Sequence, residues 1–424
     1  MSPPPPAPPE SPRRFAALRH RDFFLLWSGM GVSQLGTQIQ RVAVAWQLYL
    51  LTHSPLKLGL LGLFRVLPVI LLALGAGVIA DALDRRRLML VTQSLMALAS
   101  ALLAALTATG HDSVPAIYAL TFLAGCANAF DNPARQALIP NLVPRAELAG
   151  ALSLNITTWQ VASVVGPSLG GLLLGMQLPH LGPHLAPVKS GLVLAYAVDA
   201  LSFLAVIASL VTMRHRAPAA SAGRVSFAAL GEGLRFLRGQ PIIMWLMVLD
   251  FLGTFLGGAT LLMPIFASEV LGIGPSGLGL LNSAPPLGAV LAALVLSWSS
   301  EIKARGPAVL VSVLVYGLAM AGFGLSRHVA WSLFFLAVSG AADTVSTVVR
   351  QTVRQLLTPD ELRGRMTSIN MIFFMGGPQL GEVEAGVVAK WVGAPLSVTL
   401  GGLGCALCAA LVVLIAPQVR RHRA

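Results

Sequence analysis

A small set of polar and charged residues sits inside runs of otherwise apolar sequence, and these are the residues able to do chemistry. Gln34, Gln38 and Arg41 recur at i, i+4 and i+7, a spacing that lines them up on one face of a helix. Arg65 is embedded in the next apolar run, and Asp131, Asp199, Asp250, Asp343, Glu382 and Glu384 are the acids of later runs. A charge at the centre of a membrane helix costs roughly 2.5–3.5 kcal/mol on insertion scales, so each one needs a partner or a task. The chemistry open to such a set is ligand binding and proton carriage. Glu382 is the first choice of proton carrier, because it directly follows Gly377-Pro378-x-x-Gly381 near the middle of its run. Arg41 is the partner expected across a cavity. Asp199 and Asp250 read equally as helix caps or ties between helices, since buried ion pairs often only hold helices together. Trp46, Phe130, Trp159, Phe374 and Met375 are candidates for an apolar pocket wall.

Other chemistries lack their residues. Cys405-x-x-Cys408 has a redox or zinc spacing, but no His or carboxylate stands beside it. It reads as small packing residues, and Cys126 likewise. Walker A and G-x-S-x-G are absent, which argues against an ATP-driven pump and a membrane-embedded hydrolase. No metal is expected, and no cofactor; the energy source would be a proton gradient.

The elements that must position these residues follow from composition. The chain has 424 residues, 55% hydrophobic and only 11% charged, against about 25% charged in soluble domains. A membrane-crossing helix needs roughly 20 mostly apolar residues. Twelve such runs are predicted, near 23–51, 57–80, 87–109, 114–137, 150–176, 191–213, 241–269, 275–299, 306–325, 329–353, 367–389 and 393–416. The first, fourth, fifth and tenth are less purely apolar, as suits helices lining a wet cavity.

The formal charge of +12 is concentrated on one side. With twelve crossings, 23 of the 29 basic residues fall in loops on the side of the termini, and Lys57, Lys189, Arg327 and Lys390 fall on the other. That asymmetry predicts a multi-pass protein of the cell (inner, cytoplasmic) membrane with both termini cytoplasmic. It accounts for the charge through lipid headgroups and leaves no call for nucleic acid. Residues 1–22 form a Pro-rich tail expected to be disordered, without the apolar segment of a signal peptide. Residues 23–213 and 241–416 are two six-helix halves. Between them 214–240 is a linker whose second part, Phe227 to Leu237, has the spacing of a short amphipathic surface helix. Residues 417–424 are a basic tail.

The halves repeat each other. Pro55-Leu56-Lys57-Leu58-Gly59-Leu60-Leu61 returns as Pro275-Ser276-Gly277-Leu278-Gly279-Leu280-Leu281. Arg135-Gln136 returns as Arg350-Gln351, each Arg nine positions before a proline. Gly166-Pro167-Ser168-Leu169-Gly170 returns as Gly377-Pro378-Gln379-Leu380-Gly381. Three repeats in order predict two pseudo-symmetric bundles that rock about a shared site.

From Phe15 to Pro417 the chain resembles the major facilitator superfamily of secondary transporters. Gly77-x-x-x-Asp81-Ala82-x-Asp84-Arg85-Arg86 is similar to its loop signature G-x-x-x-D-R-x-G-R-R, with Ala82 and Asp84 as departures. The resemblance implies an all-α membrane protein of twelve transmembrane helices. It also implies a cytoplasmic latch around Gly77, Asp81, Arg85 and Arg86, with Asp131, Arg135 and Arg350 as neighbours or counterparts. Ala162-x-x-x-Gly166-Pro167-x-x-Gly170-Gly171 resembles the antiporter signature G-x-x-x-G-P-x-x-G-G, which is associated with exporters. The R-x-x-Q-G of drug antiporters is missing; Thr121-Phe122-Leu123-Ala124-Gly125 stands there. Within the superfamily, Ser33-Gln34-Leu35-Gly36-Thr37-Gln38-Ile39-Gln40-Arg41, Asp131-Asn132-Pro133-Ala134-Arg135-Gln136 and Leu380-Gly381-Glu382 are similar to the enterobactin-exporter type.

The expected function is export of a small amphipathic molecule, a siderophore or drug-like compound, by alternating access in exchange for protons. The expected partners are a small-molecule substrate and membrane lipid, with the chain working as a monomer. A multidrug or macrolide-type efflux pump, and an uncoupled facilitator or lipid-translocating protein, are the alternatives.

Overall fold

A computed structural model describes residues 15–176, 187–214, 235–298, 302–359 and 362–421. Within helices it leaves the side chains of 73–82, 187–188, 363–365, 367–368, 371–372 and 375 outside the description. The tail to residue 14 and most of the linker, 215–234, also lie outside it, as does the amphipathic segment expected there up to its last turn, residues 235–239, which is helical.

Among the described residues every regular element is helical. Twelve long helices succeed one another: α1 Arg21–Thr52, α2 Pro55–Ala82, α3 Arg85–Ala108, α4 Val114–Leu138, α5 Leu148–Gly175, α6 Pro187–Thr212, α7 Pro241–Gly257, α8 Gly274–Trp298, α9 Arg305–Leu325, α10 Val329–Leu357, α11 Arg363–Val392 and α12 Ala394–Ile415. Ten of the helical segments are long and apolar enough to cross a membrane. The two long helices outside that set are α1 and α11. These carry Gln34, Gln38, Gln40, Arg41 and Gln47, and Glu382, Glu384 and Lys390. The fourth, fifth and tenth runs have the lowest mean hydropathies of the ten, 1.2, 1.3 and 1.5, and the eleventh, with its two acids and a lysine, joins the first as a polar run that the sequence reading does not set apart.

The seventh run, expected near 241–269, is a candidate span over Pro241–Val270 but is not one regular helix. After Gly257 the chain turns extended at Gly258, then continues as a 3₁₀ turn Thr260–Leu262, a helical turn Met263–Ile265 and a π-helical turn Phe266–Val270. Pro264 has no N–H to donate to the preceding turn, which favours the break there. The freed backbone groups are sheltered because Leu261 to Ala267 are buried.

The packing repeats as the sequence does. In the first half α1 packs on α5 and α6, α3 on α4 and α6, and α2 on α4. In the second half α7 packs on α11 and α12, α9 on α10 and α12, and α8 on α10. The halves exchange one helix pair each way, α5 on α8 and α2 on α11. In lipid there is little hydrophobic gain in burying one apolar helix against another, so close approach of small residues takes its place. At the α5–α8 crossing a Cβ built on Gly171 would lie 2.7 Å from Gly279 Cα. At the α2–α11 crossing one built on Gly386 would lie 2.9 Å from Gly59 Cα.

Both crossings lie toward the end that carries the α1–α2 and α7–α8 turns, the far end, opposite the termini. Tyr49 Oη donates to Glu269 Oε1 across the halves at 2.9 Å in the same region, and Ser168 and Ser283 share a 2.8 Å hydrogen bond slightly deeper. The described polar bridges between the halves thus hold the far end together. Gly171→Leu should force it apart. Overpacking costs about 1–3 kcal/mol, so a cysteine at the buried Ser283, in a background lacking Cys126, Cys405 and Cys408, should react with aqueous maleimide roughly tenfold faster. An unchanged rate would show that the crossing is not the closure.

Candidate functional site

The polar stripe of α1 is formed as its spacing predicts, but its members divide their partners. Gln38 Nε2 donates to Ser163 Oγ on α5 at 2.9 Å, and Arg41 Nη1 donates to Gln38 Oε1 at 3.2 Å. Arg41 is otherwise exposed, and Gln34, one turn before Gln38, is half-buried. Gly166 and Gly170 of α5 let α1 approach beside this stripe: their missing side chains would meet Gln38 Cβ and Ile39. Pro167 is an interior proline of α5, and its carbonyl faces Gly279 of α8. The second half mirrors this. Gly377 and Gly381 of α11 lie against Thr254 and Phe255 of α7, with Pro378 between them.

Glu382 is where the mirror breaks. It occupies the position of Gly171 in the repeat and is 8% exposed. Its carboxylate rests against α2, where a Cβ on Gly62 would lie 2.6 Å from Oε2 and one on Gly59 2.6 Å from the Glu382 carbonyl oxygen. The second half thus places a buried acid at the crossing that in the first half is glycine on glycine. Oε2 has no hydrogen-bond partner. The positive charges acting on the carboxylate are those of Arg65 on α2 and Arg41 on α1, and neither closes to within ion-pair distance. Glu384, two residues on and turned to another side of α11, is half-buried and makes no ion pair or hydrogen bond among the described residues.

Asp250 and Asp343, proposed from sequence for the same site, lie elsewhere. Both belong to a network inside the second bundle. Asp250 Oδ1 is 2.7 Å from Arg350 Nη2, and Asp343 Oδ1 is 3.9 Å away. Arg350 also donates to Ser346 Oγ at 2.7 Å and Thr347 Oγ1 at 2.9 Å. The Asp250 contact is an ion pair without good hydrogen-bond alignment, since Oδ1 finds no hydrogen-bond partner. Two small clefts flank this pair, the first lined by Thr254, Ser312, Tyr316 and Asp343, the second by Met247, Arg354 and Asn370. The family resemblance implies a cytoplasmic latch role for Arg350. Its guanidinium is instead spent within one bundle.

The remaining latch candidates in the first half are also tied within their own bundle. Asp84 caps α3, accepting from the Arg86 and Arg87 amides. Arg85 Nη1 donates to the Ala137 carbonyl at the end of α4, and Arg86 Nη2 to the Val211 carbonyl at the end of α6. Cationic side chains are favoured at such C-terminal carbonyls. Asp131 is buried and accepts from Thr92 Oγ1 at 2.8 Å and Gln93 Nε2 at 3.0 Å on α3. Arg135 donates to Asn132 Oδ1 rather than to Asp131. The surroundings of Gly77 and the side chains of Asp81 and Met375 lie outside the described residues. Trp46 is part of the buried core, Phe130 is half-buried, and Trp159 and Phe374 are about half exposed.

Two clusters do not follow from the sequence patterns. Lys189 Nζ pairs with Asp112 Oδ1 at 2.6 Å, and Gln47 joins Asp112 Oδ2, Thr107 and the Tyr196 hydroxyl into one buried network at the far end of the first bundle. The other surrounds Asp199, which accepts from Ser100 Oγ. A signal exists for it: Asp199 is the only acid of its apolar run, and Gly36 and Gln40 recur at i, i+4 on α1. Among the described residues no group of three or more His, Cys, Asp or Glu is arranged to hold a metal ion.

Comparison with known proteins matches this architecture. The family described as transmembrane secretion effector fits residues 12–424. The chain is 25% identical over 405 residues to the enterobactin exporter EntS of Salmonella choleraesuis (strain SC-B67), covering 95% of this chain and 94% of that protein. It is 24% identical over 404 residues, at the same coverages, to the enterobactin exporter EntS of Escherichia coli O81 (strain ED1a). Among solved structures, a bacterial homologue of the human lysosomal transporter Spinster, inward-facing and occupied, superposes with a TM-score of 0.74 at 15% identity over 96% of this chain and 99% of that one. A bacterial homologue of the iron transporter ferroportin in an inward-facing state gives 0.71 at 15% identity over 95% and 99%.

Proposed function

The chain belongs to the transmembrane secretion effector family of major facilitator transporters, and on that premise we propose that it exports a siderophore-like iron chelator across the cytoplasmic membrane in exchange for protons. The observation that carries the coupling is Glu382: a buried carboxylate at the contact between the two halves, with one oxygen unpartnered and two arginines nearby. A group so placed is neutral with a proton and charged without one, so its protonation state bears directly on how the halves meet.

The substrate class rests on the relatives and on charge. Arg41 and Arg65 stand at the same interface as Glu382, which suits an oxygen-rich, weakly acidic ligand better than a cationic drug. The direction of opening follows from two readings together. The described bridges hold the far end, and the distribution of basic loops supports cytoplasmic termini; on that reading the site opens inward, toward the compartment where a product for export is made.

The test is a deletion strain compared with its parent, with and without iron limitation. Retention of an iron-chelating metabolite inside the deletion strain, relieved by the restored gene, is the expected result. Unchanged metabolites with raised drug sensitivity would select multidrug efflux instead. Export that survives collapse of the proton gradient would select an uncoupled facilitator.

A further inference from the structure

Asp199, on α6, is the most enclosed acid among the described residues, with 0% exposure. Ser100 Oγ on α3 donates to its Oδ2, and Gln40 Nε2 on α1 donates in turn to Ser100 Oγ at 2.7 Å. Gly36 makes room for the carboxylate; a Cβ there would lie 3.0 Å from Oδ1. Thr37 stands close as well. Oδ1 nevertheless has no hydrogen bond of good geometry. A tie between helices would be served by a neutral Asn or Ser, because a buried charge without full compensation costs free energy that a neutral group does not.

What faces Asp199 gives the acid a task. At 100° per residue, Arg41 of α1 lies between the face of Gly36, Thr37 and Gln40, turned to Asp199, and the face of Gln34 and Gln38, turned to α5. Glu382 and Asp199 are the two acids whose charges act on Arg41. It pairs with neither in this structure and rests on Gln38 Oε1. The other groups around the two acids are few. The α5 helix brings no charged residue to Asp199, α3 brings none at that depth, and Tyr196 on α6 is committed to Gln47. Around Glu382, α2 brings Arg65, α12 brings no charge and α7 brings Asp250, which is held by Arg350.

We propose that Asp199 is the second counter-ion of Arg41 and that Arg41 exchanges between Asp199 in its own bundle and Glu382 in the other. When Glu382 takes a proton from cavity water, its O–H bond forms and its attraction for Arg41 is lost. Arg41 then turns to the Asp199 carboxylate, which stays ionised, so the exchange takes up one proton. When Glu382 gives that proton back to water, Arg41 returns across the interface. One cation shared by two acids makes proton uptake and the loss of a cross-interface attraction a single event. This rests on the reading of Glu382 as the coupling acid.

The test uses the full chain in nanodiscs, free of native cysteines, with spin labels at Lys57→Cys and Lys390→Cys, both exposed at the far ends of α2 and α11. The label distance is measured at acid and alkaline pH. The parent protein should show a pH-dependent change, lost in Glu382→Gln, in Asp199→Asn and in Arg41→Gln. A change lost in Glu382→Gln but kept in Asp199→Asn or Arg41→Gln overturns the shared-arginine inference and leaves the coupling acid standing. A change kept in Glu382→Gln overturns both, as does a parent distance that ignores pH. Should Asp199→Asn fail to fold, Arg41→Gln decides alone, because Arg41 is exposed and held by one hydrogen bond.

Discussion

Glu382→Gln should abolish proton-driven export while leaving the protein present in the membrane at the parent level. The amide has nearly the shape of the carboxyl and fits the space that Gly59 and Gly62 leave on α2. It cannot take up or release a proton. Oε2 has no partner to lose, and a neutral group at this depth avoids the cost of a buried charge, so the substitution should be neutral or slightly stabilising. The cycle, by contrast, loses the alternation between charged and uncharged states. With a membrane-embedded charge worth roughly 2.5–3.5 kcal/mol, removing that alternation should slow gradient-driven export by roughly a hundredfold. The measurement is substrate efflux from energised cells or proteoliposomes, set against membrane levels of the protein. Parent-level export by the variant would sink the assignment. Glu384→Gln is the internal control: that side chain is two residues away, on another side of the helix, and should change little.

The parts of this arrangement that were legible in the sequence are those that depend on one helix at a time or on the duplication. Twelve apolar runs, two halves and the glycine crossings follow from periodicity and from Gly59 repeating at Gly279. Glu382 could be singled out because the repeat puts Gly171 at its counterpart, so aligning the two halves of the chain is enough to expose the difference. Partners across helices were not legible. Arg135 and Arg350 occupy equivalent places in the repeat, yet Arg135 turns to Asn132 on its own helix and Arg350 to Asp250 on α7. The reason lies outside both motifs: α7 carries an acid at its middle, whereas the only acid of α1 is Asp22, in its first turn. In the same way Ser100 and Gln40 carry no signal singly, and only the packing of α1, α3 and α6 gathers them on Asp199. Lys189 reads as a loop charge until Asp112 is found 2.6 Å away.

Asp250→Ala should be among the most destabilising single changes in the second bundle, with loss of folded protein preceding any question of transport. It leaves the Arg350 guanidinium, 11% exposed, without its nearest counter-charge. Breaking a buried pair from one side typically costs about 3–5 kcal/mol. The low end applies here, because Asp343 lies 3.9 Å from the same guanidinium and is half exposed to solvent, while Ser346 and Thr347 keep their hydrogen bonds to it. Removing both partners, as Asp250→Ala with Arg350→Met, should recover most of the loss, since the cost comes from the stranded charge and not from the missing attraction. Thermal inactivation rates in detergent, read as size-exclusion monodispersity after heating, measure the effect where unfolding is irreversible. If the single variant is as robust as the parent, Asp250 is not a structural counter-ion. If the double variant is stable but transports no substrate, the pair serves the cycle as well as the fold. A stable and active double variant would leave Glu382, the arginines beside it and Asp199 to carry the chemistry.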